Sequence, residues 1–189
     1  MRALDAWRVN RELPYWERDF PRPLVDLSRV ETIDPYAVAF LKLYARRCAE
    51  AGGRLRLLMP RQDEVAQVLA QMGLFRWAGE AIWTDRPPPE AESGAAGFLD
   101  IVRVEDEGEI QELVNRASDV LTERFPLGER SIRVLAMAML ELAQNIPQHA
   151  NPLGEDLDPW GLLAVREYRD HIHLVVMDKG GGLSKSLGL

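Results

Sequence analysis

The clearest periodicity in the chain lies at 35–51, where Ala37, Phe40, Leu41, Tyr44 and Cys48 recur at spacings of three and four. Residues so spaced share one helix face, so the stripe predicts an amphipathic helix. Asp34 stands at its N-cap, Pro35 at its first position, and Gly52-Gly53 ends it. The runs at 24–27 (LVDL) and 54–59 (RLRLLM) are short, apolar and bounded by proline or glycine, which predicts strands. Val65, Val68, Leu69 and Met72 give a shorter helix that stops at Gly73. Strand, helix, strand, helix in that order predicts a small α/β layer with a parallel pair and a right-handed crossover. Residues 1–20 scatter Trp7, Tyr15, Trp16 and Phe20 among charges and give only a weak strand pattern.

The second half repeats the alternation with different elements. Phe98–Val104 alternates as a strand, and Asp106 is placed to cap the next helix. Ile110, Leu113, Val114, Ala117, Val120 and Leu121 form the stripe of that helix up to Arg124, and 125–128, with Pro126, form the next loop. From about Ser131 a second helix is expected, with Ile132, Leu135, Ala136, Met139 and Leu142 on its apolar side. Pro147 has no N–H for the Ala143 carbonyl and its ring crowds that turn, so this helix is expected to kink or end at 145–146. Residues 151–159 are acidic and turn-rich, and 160–168 and 171–177 read as strands of a hairpin turning at Arg169-Asp170. His171 and His173 share a strand face and are expected to be exposed side chains, not metal ligands. Between the halves, 86–97 (RPPPEAESGAAG) reads as an extended, semi-rigid boundary. The expectation is an α/β chain of two modules, 1–85 and 98–189, joined by a proline-rich linker at 86–97.

Composition narrows the function classes. The chain has 189 residues, 47% of them hydrophobic, enough for real cores. A net charge of −7 argues against a nucleic-acid partner. The charge is uneven: residues 1–90 hold 14 Lys+Arg against 13 Asp+Glu, a net of +1, and residues 91–189 hold 9 against 17, a net of −8. The single cysteine, Cys48, excludes an internal disulfide and reads as a small buried hydrophobe. The amino terminus lacks an apolar signal core, and no run approaches the roughly 20 apolar residues of a membrane span. A cytoplasmic protein without a membrane partner is therefore expected.

Candidate chemistry concentrates in two stretches of the second half. ELAQNIPQHA puts Glu141 and Asn145 four apart, on one helix face a turn from each other. On spacing alone the pair reads as a wet helix edge. MDKGGG carries a strand directly into Asp178, Gly180 and Gly182, where backbone without side chains can approach a ligand closely or simply turn.

Two resemblances give these residues roles. Residues 25–74, from VDLS…ID through AGGRLRLL to MGL, resemble the anti-sigma-factor antagonist (STAS) domain. That family carries a phosphorylated hydroxyl residue at the start of the first helix. Here Asp34 is kept, and Pro35, Tyr36 and Ala37 stand in place of the hydroxyl pair and the glycine, so Tyr36 is expected to pack or snorkel at the helix start. Residues 98–182 are similar to the GHKL superfamily of gyrase, the histidine kinases and the anti-sigma-factor serine kinases. ELAQNIPQHA resembles its asparagine box and DKGGG its first glycine box. The resemblance implies an incomplete GHKL (Bergerat) α/β sandwich binding ATP or ADP with Mg²⁺. Asn145 would hold the Mg²⁺, Glu141 would be the general base, Asp178 would take the adenine amino group, and Gly180 and Gly182 would form the turn beside the nucleotide. Family members continue through a mobile lid and a second glycine box, whereas this chain ends seven residues after Gly182. Together the resemblances imply an ATP-binding regulator of the partner-switching type, with STAS or sigma-regulatory proteins as partners, a homodimeric habit, and serine/threonine kinase activity in a complete form. The alternative is a non-catalytic interaction scaffold built from the same two modules.

Overall fold

The computed structural model describes residues 3–76, 80–91, 98–104, 107–149, 161–168 and 171–178. The protein is mixed α/β and divides into two compact units, Met1–Ala95 and Ala96–Leu189. Among the described residues no helix is long and apolar enough to cross a membrane.

The first unit runs β1 (Ala3–Leu4), α1 (Ala6–Trp16), a 3₁₀ turn (Glu17–Asp19), β2 (Leu24–Asp26), β3 (Thr32–Ile33), α2 (Pro35–Glu50), β4 (Leu55–Leu58), α3 (Asp63–Gln71) and β5 (Ile82–Thr84). The main sheet is parallel in the order β2-β4-β5, and β1 pairs with β3, also in parallel. The predicted parallel pair is thus present, with a third strand the sequence pattern did not mark. α2 begins where expected: the Asp34 carboxylate accepts the Ala37 N–H at 2.7 Å. It ends at Gly52, which takes φ +74°, and the Gly52 and Gly53 N–H groups close onto the Ala49 and Cys48 carbonyls. The predicted stripe is buried at Ala37, Leu41, Tyr44 and Cys48, and Phe40 stacks on Tyr44 with ring centroids 5.7 Å apart. Val38, Ala39 and Ala45 are buried as well, so α2 lies inside the unit instead of edging it.

Of the weak strand expected in 1–20 only the two-residue β1 forms, and most of the segment is helix α1. Asp5 caps α1 by accepting the Arg8 N–H at 2.8 Å, and Arg8–Glu12 forms an i,i+4 pair at 3.1 Å. Only Val9 and Trp16 are buried along α1, seven residues apart, so its apolar stripe is too narrow to read as a period. The first part of the proline-rich segment is held against α3 and the end of β4. Arg86 pairs with Asp63 at 3.2 Å and donates to the Pro60 carbonyl, and Gln67 donates to the Glu90 carbonyl at 3.1 Å.

The second unit runs β6 (Phe98–Val104), α4 (Glu107–Arg124), α5 (Glu129–His149), β7 (Gly161–Glu167) and β8 (Ile172–Asp178). Its sheet is antiparallel in the order β6-β7-β8. The hairpin register pairs Gly161 with Asp178 and Glu167 with Ile172. The Tyr168 N–H donates to the His171 carbonyl at 2.8 Å, while the Arg169-Asp170 turn itself lies outside the described residues. Ile110, Leu113, Val114, Ala117 and Leu121 of α4 meet Met139, Ala143 and Ile146 of α5 over Leu163 of β7, with Ile172, Leu174 and Val176 of β8 packed alongside. This is a two-layer arrangement, helices on one sheet face.

Two expectations about α5 are corrected. It does not end at 145–146 but continues to His149. Pro147 costs the bond to the Ala143 carbonyl only two residues before the helix ends, and the preceding Ile146, 1% exposed and held in the core, keeps the turn in place. α1 shows the same arrangement, with Pro14 two residues before its end at a buried Trp16. Leu142 is 48% exposed, not on the apolar side, because the buried stripe turns through Met139, Ala143 and Ile146.

Candidate functional site

Glu141 and Asn145 face away from the α5 stripe that packs on α4 and the sheet, and both are exposed. Neither the Glu141 carboxylate nor the Asn145 carboxamide makes a side-chain hydrogen bond or ion pair among the described residues. The two side chains are therefore open to a ligand, in the relation the helical spacing predicts. Because α5 continues to His149, Asn145 rises from regular helix.

Asp178 is brought to the same region by packing. It is the exposed last residue of β8 and pairs across the hairpin with Gly161, the first residue of β7. A Cβ on Gly161 would lie 2.6 Å from Ile146 Cδ1 and 2.6 Å from the Met177 carbonyl oxygen. Only glycine admits α5 this close to the sheet. Ile146, next to Asn145, thus seats the end of α5 on the strand pair that ends at Asp178. Gly180 and Gly182, like the capping position Asp106, lie outside the described residues.

Among the described residues no group of three or more His, Cys, Asp or Glu side chains is placed to hold a metal ion. One carboxamide oxygen with phosphate oxygens and waters is a coordination Mg²⁺ accepts, and the open Asn145 side chain fits it. His171 lies just before β8 and His173 within it. They join Tyr168 in a ring cluster with centroids 4.7–4.8 Å apart, and Arg166 lies 5.0 Å over Tyr168.

In the first unit, Tyr36 caps no site and Asp34 serves the α2 N-cap. Tyr44 is 2% exposed and its hydroxyl has no hydrogen-bond partner among the described residues. Burial above all, and then the Glu17 carboxylate, push its pKa upward. Cys48 is fully buried and its thiol is pushed up to about 11 by that burial. Both are inert packing groups at neutral pH. Sequence reading passed over a group that the fold assembles: Arg22, Arg54, Arg56 and Trp83 line one cleft with Gly52 and Gly53. Its members lie on three separated stretches, and the strand that carries Trp83 is only three residues long. No family model matches the chain, and neither a curated protein nor a solved structure matches it.

Proposed function

We propose that the second unit binds ATP or ADP with Mg²⁺, and that the protein is a signalling regulator of the kinase and antagonist partner-switching type. The observation that carries this reading is the contact that ties the Asn145 end of α5 to the strand pair ending at Asp178. Glu141 and Asn145 stand one turn apart on α5, and the Ile146–Gly161 contact seats that helix beside the strand end bearing Asp178. Asn145 would hold Mg²⁺ through its carboxamide oxygen, and Asp178 would accept the adenine amino group. When bound there, Mg²⁺ would supply charge neutralisation to the phosphates. Glu141 takes the proton from an attacking water or protein hydroxyl, the role phosphoryl transfer asks of a side chain beyond positioning. With a lid and a second glycine box, the same residues would serve a serine/threonine protein kinase acting on a STAS partner.

Titration calorimetry of the chain with Mg²⁺ and ATP or ADP tests the binding. Saturable heat that falls at least about tenfold in affinity on Asn145→Ala and on Asp178→Asn is expected, as for lost hydrogen bonds to charged groups. Absence of heat and of any Tm shift would remove the reading. Glu141→Ala keeps binding and abolishes transfer of the γ-phosphate to a STAS protein; an active Glu141→Ala chain would refute its role as base.

A second reading, a non-catalytic interaction scaffold, is favoured by one observation. Val134, Met137 and Leu142 of α5 are 59%, 66% and 48% exposed, an apolar surface beside the polar pair. Under that reading Met137→Asp abolishes partner binding and nucleotide produces no heat.

A further inference from the structure

The cleft in the first unit is independent of the nucleotide reading and has a construction of its own. It encloses about 490 Å³ and is lined by Arg22, Gly52, Gly53, Arg54, Arg56 and Trp83. Backbone fit brings these residues together. A Cβ on Gly53 would sit 2.0 Å from the Pro21 carbonyl oxygen, so glycine is required for the 21–23 segment to reach the α2–β4 connection. The Arg56 N–H then donates to the Pro23 carbonyl at 2.9 Å. Arg22 is thereby drawn alongside Arg54, which directly follows Gly53.

The sheet supplies the floor. Leu24, Arg56 and Trp83 are direct cross-strand partners on β2, β4 and β5. All three are exposed, whereas Val25, Leu55, Leu57 and Ile82 between them are buried, so the row lies on the outer face of the sheet. Arg54 precedes Arg56 by two and shares its side of the strand. The Arg56 guanidinium is 5.7 Å from the Trp83 ring centre.

Charge in the cleft is one-sided. Arg8, Arg46, Arg47 and Arg86 of the same unit each pair with a carboxylate. Arg22, Arg54 and Arg56 have no carboxylate partner among the described residues. Asp26 lies on the same outer face, opposite Leu58, and its carboxylate accepts the Ser28 N–H at 2.8 Å. Hydrogen bonds from Ser28 hold its carboxyl below the usual value. The Gly52 and Gly53 N–H groups are committed to helix carbonyls, so the charged donors lining the cleft are the three guanidinia.

We propose that this cleft binds a small, multiply charged phosphate through Arg22, Arg54 and Arg56. Guanidinium forks match phosphate oxygens in pairs, and the volume falls within the roughly 300–1,000 Å³ of small-ligand sites. The phosphate comes either as a free polyphosphate or on a nucleoside, whose base would lie against the exposed part of Trp83.

The test is calorimetry on the full chain in EDTA, with tripolyphosphate and separately with ATP as probes. Saturable binding is expected, weakened about 100-fold in Arg54→Gln/Arg56→Gln, since each lost charged hydrogen bond is about tenfold. Arg22→Gln, outside any strand, weakens it in the same direction. Arg29→Gln/Arg61→Gln removes equal charge elsewhere in the unit and leaves binding unchanged. If ATP binds more tightly than tripolyphosphate and Trp83→Ala removes the difference, the phosphate is carried on a nucleoside. Equal affinities without a Trp83→Ala effect assign it to free polyphosphate. No saturable heat with either probe, or equal weakening by the Arg29/Arg61 control, overturns the proposal. Loss on Asn145→Ala with Arg54→Gln/Arg56→Gln unaffected also overturns it and moves the binding to the second unit.

Discussion

Tyr44 and Cys48 lie one helical turn apart in the middle of the first unit's core, both stripped of water and both neutral. Folding therefore favours their protonated forms. For Cys48 the ordinary value of 9.0 rises to about 11, so the unfolded chain loses its proton first as pH rises. The folded state then binds more protons than the unfolded state, and stability falls with pH. The contribution is complete below pH 9 and is lost between about pH 9 and about pH 11; Tyr44 acts in the same direction. Thermal denaturation from pH 8 to pH 11 should show a falling Tm that flattens in Cys48→Ala. Tyr44→Phe removes a buried hydroxyl with no partner, and its midpoint in urea should rise by the equivalent of about 1 kcal/mol. Asp34→Ala, by contrast, deletes the α2 cap and should cost about 1 kcal/mol. The burial of Cys48 and the cap at Asp34 were legible in the sequence because each depends on local pattern. The stranded Tyr44 hydroxyl was not, because it depends on what α1 and the 3₁₀ turn bring over the helix.

At the scale of elements, legibility follows the width of the apolar stripe. α2, α4 and the β7–β8 hairpin bury broad or alternating sets and were readable as such. α1 buries only Val9 and Trp16, and β1, β3 and β5 are two or three residues long, too short to show a period. Pro147 misled because its local penalty was weighed without Ile146, whose burial against Gly161 holds the last turn in place. The Glu141–Asn145 relation could be read from spacing, but its link to Asp178 could not, since a helix–glycine contact leaves no mark in a single sequence. Gly161→Ala tests that link. The added methyl has 2.6 Å where it needs over 3 Å, against both Ile146 and a backbone carbonyl. The second unit should lose roughly 1–3 kcal/mol. Under the proposed function, nucleotide affinity should fall as α5 lifts from the strand end. Ile146→Val in the same chain removes Cδ1, one of the three atoms within 3 Å, and should recover part of both losses in calorimetry and urea unfolding.

At the scale of the whole molecule, the charge asymmetry read from the sequence divides near the boundary of the two units, which falls between Ala95 and Ala96. Each unit buries its own apolar set: Leu41, Tyr44, Leu55, Leu57 and Leu69 in the first, and the α4–α5 cluster over Leu163 in the second. A unit of about 95 residues with a closed core is within the size range that folds alone. Residues 86–91 belong with the first, since Arg86 and Glu90 are tied back to Pro60, Asp63 and Gln67. A chain of residues 1–95 should therefore fold cooperatively without the rest. Cys48 is its built-in reporter. In the folded fragment the thiol is buried and held protonated, so it should react with Ellman's reagent at pH 8 only at the rate of unfolding. Ending the fragment at 85 removes the Arg86 and Glu90 ties and should lower its urea midpoint while leaving the core intact. A fragment 1–95 whose thiol reacts at once in native buffer would show that the first unit's core needs the rest of the chain to close.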